Sequence, residues 1–225
     1  MTDEKHATTM AIGIFGGTFD PVHYGHLRAA LEAKEILQLD DFRLLPAGTP
    51  PHRSAPIADS GQRLAMLRLA VAEYPGFTID EREVRREGYS YMVDTLREIR
   101  GEAGDAPLLL FIGQDAANGL DSWHEWRDLY KHAHLVIMRR PDSEMTWSGE
   151  LLLEMNKRLV DTANQLYTQA AGLVLSLEIT QLAISSTGIR QQLLEGRSPR
   201  FLLPGAVIDY IQQNRLYFAG AARKG

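Results

Sequence analysis

Residues 12–27 read IGIFGGTFDPVHYGHL, and the fold turns on how this stretch is parsed. Ile12, Ile14 and Phe15 form a short apolar run bounded by turn residues, the pattern of a buried strand. Gly16 and Gly17 follow, and without a Cβ they let the backbone turn sharply and bring its N–H groups close to a ligand. Asp20-Pro21 marks the restart, and residues 24–37 place Leu27, Ala30, Leu31, Lys34 and Leu37 at helical spacing. A strand that feeds through glycines into a helix N-terminus makes an anion site, because unpaired N–H groups and the helix dipole both favour negative charge there. His23 and His26, three residues apart, project on one side of that mouth, where imidazoles can donate to phosphoryl oxygens as charge builds on them.

The rest of the composition bounds the answer. A chain of 225 residues with 44% hydrophobic and 24% charged content reads as a globular domain with a real core. No apolar run approaches the roughly 18 residues a membrane span requires, so no membrane role is expected. The first ten residues are polar, neither secretory signal nor transit peptide, and are read as a frayed tail. With no cysteine there is no disulfide, thiolate nucleophile or cysteine-ligated zinc, and a cytoplasmic location fits. A net charge of −5 argues against general nucleic-acid binding. Arginines nevertheless cluster at residues 82–86 and 139–140, as a positive cleft for a small polyanion or as solvated surface.

Strands and helices alternate along the chain. Strands are expected at residues 42–45, 77–80, 108–112, 134–138 and 175–179, with 108–112 the most apolar and hence central. Helices are expected at 60–73 capped by Ser60, after Ser90, over a long amphipathic stretch 148–171, and at 188–194 and 205–213. This rhythm predicts an α/β, Rossmann-like, doubly wound parallel sheet with helices on both faces and a small C-terminal helical extension. Residues 11–218 are expected to form one domain, with 11–141 the core and 142–218 carrying helices and a second motif; 219–225 is read as a tail. Right-handed crossovers place the crevice at the carboxyl ends of the strands, where the Gly16 turn, the Pro50-Pro51 loop, Asp115 and Arg139 all fall. Asp115 suits a sugar hydroxyl or a helix cap, and Trp123 suits the core or a stacking plate. In ISSTGIR, residues 184–190, the hydroxyls suit an ordinary N-cap by Ser185 or Ser186, or, with Arg190 one turn in, a second phosphate seat.

GGTFDPVHYGHL, PPHR, GQD, SWHEW, MRRP and ISSTGIR, taken in order from residue 12 to 217, resemble the bacterial nicotinate-nucleotide adenylyltransferases of the HxGH nucleotidyltransferase superfamily. The first motif is neither a Walker A loop nor a G-x-G-x-x-G dinucleotide fingerprint. The resemblance implies transfer of the adenylyl group of ATP to nicotinate mononucleotide in NAD biosynthesis, with Mg²⁺ bridging the triphosphate and no metal ligand from the protein. It implies His23, His26 and Arg190 as catalytic residues. Gly16, Gly17, Thr18, Phe19, Gly113, Asp115, Ser185, Ser186 and Thr187 are implied to bind ATP, and Ala47, Gly48, His52, Arg53, Met92, Trp123, Arg139 and Arg140 to line the mononucleotide side. Ala47, Gly48 and Met92 depart from side chains that some relatives carry there, which shifts selection of the nicotinate carboxylate toward backbone N–H groups near Trp123. Other acceptors, namely nicotinamide mononucleotide, pantetheine phosphate or flavin mononucleotide, stay open, as does a nucleotide-sensing module that binds without reacting. The helix near Met155 could pack on its own sheet or on a second subunit, so a homo-oligomer stays open too.

Overall fold

The computed structural model describes residues 11–49, 55–139, 145–180 and 182–218. Seven strands form one sheet: β1 (Ile12–Gly17), β2 (Asp41–Pro46), β3 (Thr78–Ile79), β4 (Leu108–Gly113), β5 (His134–Arg139), β6 (Leu159–Val160) and β7 (Val174–Glu178). Their order is β3-β2-β1-β4-β5-β7-β6, with every pairing parallel. The apolar run at 108–112 therefore lies in the middle strand, as its composition predicts. Alternate residues of β4 face opposite layers: Leu109 and Phe111 join one core cluster, while Leu108, Leu110 and Ile112 join the other.

Nine α-helices are described: α1 (Tyr24–Ile36), α2 (Ser60–Val71), α3 (Arg82–Arg85), α4 (Met92–Ala103), α5 (Gln114–Asn118), α6 (Leu129–His132), α7 (Gly149–Arg158), α8 (Ser186–Leu194) and α9 (Gly205–Gln213). Buried residues of α1, α2, α8 and α9 pack on one face of the sheet, and those of α4, α6 and α7 on the other. None of the described helices is long and apolar enough to cross a membrane.

Three expectations need correction. The stretch 148–171 is not one helix: α7 ends at Arg158, Leu159 and Val160 pair with β7, and a 3-10 turn follows at Ala163–Thr168. Val160, Asp161 and Thr162 are weak helix formers, and Gln165 Oε1 accepts from the N–H groups of Asp161 and Thr162, so a break is locally favoured. Leu151 and Met155 go inward while Leu152 and Leu159 remain partly exposed. Second, α2 is capped by Asp59, which accepts from the Gln62 N–H, and not by Ser60. Third, Ser90 does not cap α4; Tyr91 holds that position, and the buried Ser90 hydroxyl donates to the Glu83 carbonyl.

Candidate active site

β1 ends at Gly17, and Phe19, at φ 51°, folds its ring back beneath the turn. A Cβ on Gly17 would lie 2.8 Å from that ring, so the second glycine is a steric requirement. Phe19 is buried, meets the His26 imidazole edge-on at 5.1 Å, and packs against Phe15. His23 occupies the N-cap of α1, and its ring stacks on His26 with centroids 3.7 Å apart. The His23 N–H donates to His26 Nδ1 at 3.3 Å, which puts the His26 proton on Nε2. His23 Nδ1 is buried and has no partner among the described residues. Burial lowers His23 to about 4, and burial together with the neighbouring His23 holds His26 well below the ordinary imidazole value. Both rings are thus neutral N–H donors at neutral pH.

Gly25 between them has its own reason. A Cβ there would come within 2.9 Å of His23 Nδ1 and 3.3 Å of the Ile184 carbonyl oxygen, the residue that opens the second motif. The two motifs are in fact fastened together. Ser186 Oγ donates to the Pro21 carbonyl at 2.9 Å, and Arg190 Nη1 donates to the Asp20 carbonyl at 2.6 Å. Arg190 Nη2 also reaches Thr187 Oγ1 at 3.2 Å, while Ser185 caps α8 by accepting from the Gly188 N–H. The N-cap role and the docking role therefore belong to different hydroxyls of the same motif.

Beside the turn lies a cavity of about 410 Å³. Gly16, Gly17 and Thr18 form one wall, Ala47 and Met92 another, and Asp115 and Trp123 a third. The Met92 methyl lies 2.8 Å from where a Cβ of Gly16 would stand. His23, His26 and Arg190 are not among the residues that line this cavity, which meets the first motif at Gly16, Gly17 and Thr18.

A family model described as cytidylyltransferase-like matches residues 14–192. A protein of Methylococcus capsulatus, a probable nicotinate-nucleotide adenylyltransferase, is 52% identical over 92% of this chain and 99% of its own. One of the same name from Marinobacter nauticus is 46% identical over 92% and 96%. The chain belongs to the nicotinate-nucleotide adenylyltransferases. At the level of fold, the Plasmodium falciparum nicotinic acid mononucleotide adenylyltransferase complexed with NaAD matches with a TM-score of 0.69 at 17% identity, covering 92% of this chain and 97% of that one.

In this adenylyltransferase the remaining predicted residues divide by position. Gly113, not Asp115, is the N-cap of α5, which leaves Asp115 in the first turn and facing the cavity. Gly48 is a packing requirement, because a Cβ would stand 2.1 Å from the Glu83 carbonyl oxygen. Arg139 closes β5 and pairs with Glu178 at 2.9 Å. His52, Arg53 and Arg140 lie outside the described residues. The arginines of the 82–86 cluster are paired with carboxylates: Arg82 binds Asp80 and Glu102, Arg85 binds Glu81, and Arg86 binds Glu98.

Sequence reasoning missed part of the cavity. Tyr91 and His124, with ring centroids 4.3 Å apart, add an aromatic wall next to Trp123, and Glu83, Ser90 and Ser122 add polar atoms. His124 stood inside the quoted SWHEW and Tyr91 beside Met92, so adjacency to motif residues was the available signal. Glu83 had none; burial raises its carboxyl pKa, and it accepts from Thr95 Oγ1 at 2.7 Å.

Proposed function

We propose that the fastened motifs and the neighbouring cavity divide the work of one adenylyl transfer, with ATP held at the motifs and nicotinate mononucleotide in the aromatic cavity. The 5′-phosphate oxygen of the mononucleotide attacks the α-phosphorus of ATP in line, the bond from that phosphorus to the β-phosphate bridging oxygen breaks, and pyrophosphate leaves. The attacking phosphate already carries negative charge at neutral pH, so neither a general base nor a covalent enzyme intermediate is needed. The protein's contribution is alignment and stabilisation of charge.

The observation that carries this reading is the fastening itself: Ser186 to Pro21 and Arg190 to Asp20 bring hydroxyl-rich α8 and the imidazole pair to one end of the sheet. His23 and His26 donate N–H groups to phosphoryl oxygens, and Ser185, Ser186, Thr187 and Arg190 form the opposing seat at the N-terminus of α8. Asp115 accepts from ribose, and Trp123 stacks on the pyridine ring. The Trp123 N–H is already bonded to the Leu120 carbonyl, so recognition of the nicotinate carboxylate falls to a neighbouring donor such as the His124 N–H. Mg²⁺ bound with the triphosphate would supply charge neutralisation, while the alignment falls to the residues named above.

The deciding measurement is pyrophosphate release from purified protein with ATP and each of four acceptors: nicotinate mononucleotide, nicotinamide mononucleotide, pantetheine phosphate and flavin mononucleotide. The highest kcat/KM is expected for nicotinate mononucleotide. A preference for another acceptor sinks the substrate assignment, and no release with any of them sinks the chemistry.

A further inference from the structure

Three polar side chains beneath the turn take no part in the steps above. Asp20, Arg63 and Tyr217 are 5%, 1% and 3% exposed, and they come from three distant parts of the chain. Asp20 Oδ2 accepts from the Ile57 N–H at 2.9 Å, and Oδ1 accepts from the Ala58 N–H at 3.1 Å and from the Tyr217 hydroxyl at 2.6 Å. Burial, then the Asp20 charge, pushes the Tyr217 phenol upward, so it stays a donor. Its backbone sits at φ 65°, a region that bulky residues enter only when their surroundings hold them there.

Arg63 works from the other side. Its guanidinium donates to the carbonyls of Ala58 at 3.3 Å, Thr18 at 2.8 Å and Gly48 at 2.9 Å. Three loops at the carboxyl edge of the sheet are thereby tied to one planar fork, a geometry that lysine cannot reproduce. The residue between these two braces is Asp20, whose own carbonyl receives Arg190 Nη1 and whose Oδ2 stands 3.8 Å from the same nitrogen.

We propose that Tyr217 and Arg63 are positioning residues for Arg190, acting through Asp20 to hold its guanidinium at the polyphosphate seat. They touch no substrate. Their effect is to fix where the Asp20 carbonyl and carboxylate point, and so where the one cation of the second motif sits. The inference rests on the role of Arg190 given above.

A double-mutant cycle on the full chain tests it, because residues that act through one another are not additive. Tyr217→Phe removes one hydroxyl, and with it the donor to Asp20 Oδ1, while keeping the ring in the core. Turnover is expected to fall about tenfold in the otherwise unaltered protein, the scale of coupling between residues of one network, with KM for nicotinate mononucleotide unchanged. In an Arg190→Ala background the same change should cost less than about twofold. Arg63→Lys, measured per folded molecule, should follow the same pattern; if it does not fold, the Tyr217 cycle decides alone. Equal factors in both backgrounds, or full turnover by Tyr217→Phe, overturn the inference while leaving Arg190 in place. Full turnover by Arg190→Ala overturns the role of Arg190 and the inference with it.

Discussion

His23 and His26 face each other at 3.7 Å, too close for two charged rings to share a site without cost. The chemistry therefore asks them for N–H groups and not for standing positive charge. Losing one such donor costs roughly 10²- to 10³-fold in kcat, so His26→Ala should fall in that range in a pyrophosphate-release assay. Near-normal turnover would remove His26 from the mechanism. A second consequence concerns pH. His23 is pushed down to about 4, so the unfolded chain takes up this proton first as the medium is acidified. The associated stability is fully present above about 6.5 and is lost as pH falls through the interval toward 4, a loss of about 3 kcal/mol in all. Urea unfolding at steps from pH 7.5 to 5 should show this slope added to that of His26, His132 and His134, and His23→Asn should make it shallower without abolishing it. The spacing of the pair was plain in the sequence. Its neutrality was not, because the phenyl rings of Phe15 and Phe19 that surround His26 reach it only through the tertiary turn.

At the scale of elements, Gly25 is where two preferences conflict. An alanine in the first turn of α1 would favour the helix by up to about 1 kcal/mol. The same Cβ would press on the His23 ring at 2.9 Å and on the Ile184 carbonyl at 3.3 Å, loosening the seam between the two motifs. Gly25→Ala should therefore leave Tm unchanged or lower it by a few degrees, the propensity gain offsetting only part of an overpacking cost of about 1–3 kcal/mol, while lowering kcat about tenfold or more, the scale of a partly displaced oxyanion donor. A variant with unchanged Tm and unchanged turnover would show that the seam tolerates a methyl group. Elements were legible where local signals agreed: α9 spans Gly205–Gln213 as periodicity predicts, and α8 begins where Ser185 can cap it. They were misread where an apolar stripe ran on past its helix. Leu159 and Val160 satisfy a three-to-four spacing yet pair with β7, a partner that no local window contains. The sheet order and the cavity walls from Tyr91 and Glu83 were hidden for the same reason, since both depend on crossovers between distant segments.

Across the whole molecule, two arginines do the same job at opposite ends of the sheet. Arg63 gathers carbonyls at the carboxyl ends of the strands, beside the reacting groups. Arg100 gathers the carbonyls of Gly104, Ala106, His132 and Ala170, which lie just before β4, β5 and β7. Buried His134 belongs to that lower end as well, with Nε2 on the Gln169 carbonyl at 2.9 Å and Nδ1 accepting from the Leu173 N–H at 3.1 Å. The two ends should then separate stability from catalysis. Arg100→Met strips these part-buried and exposed carbonyls of a charged donor, and hydrogen bonds to a charged group contribute about 1.5–3 kcal/mol, so a loss of about 2 kcal/mol in urea unfolding is expected. Measured at a temperature where the variant is fully folded, kcat and both KM values should match the unaltered protein, because nothing Arg100 holds reaches the crevice. Arg63→Lys should do the reverse, losing turnover in molecules that remain folded. If folded Arg100→Met also turned over slowly, the sheet would be transmitting strain from its lower loops to the phosphate seat, and the division between a stabilising end and a catalytic end would have to be abandoned.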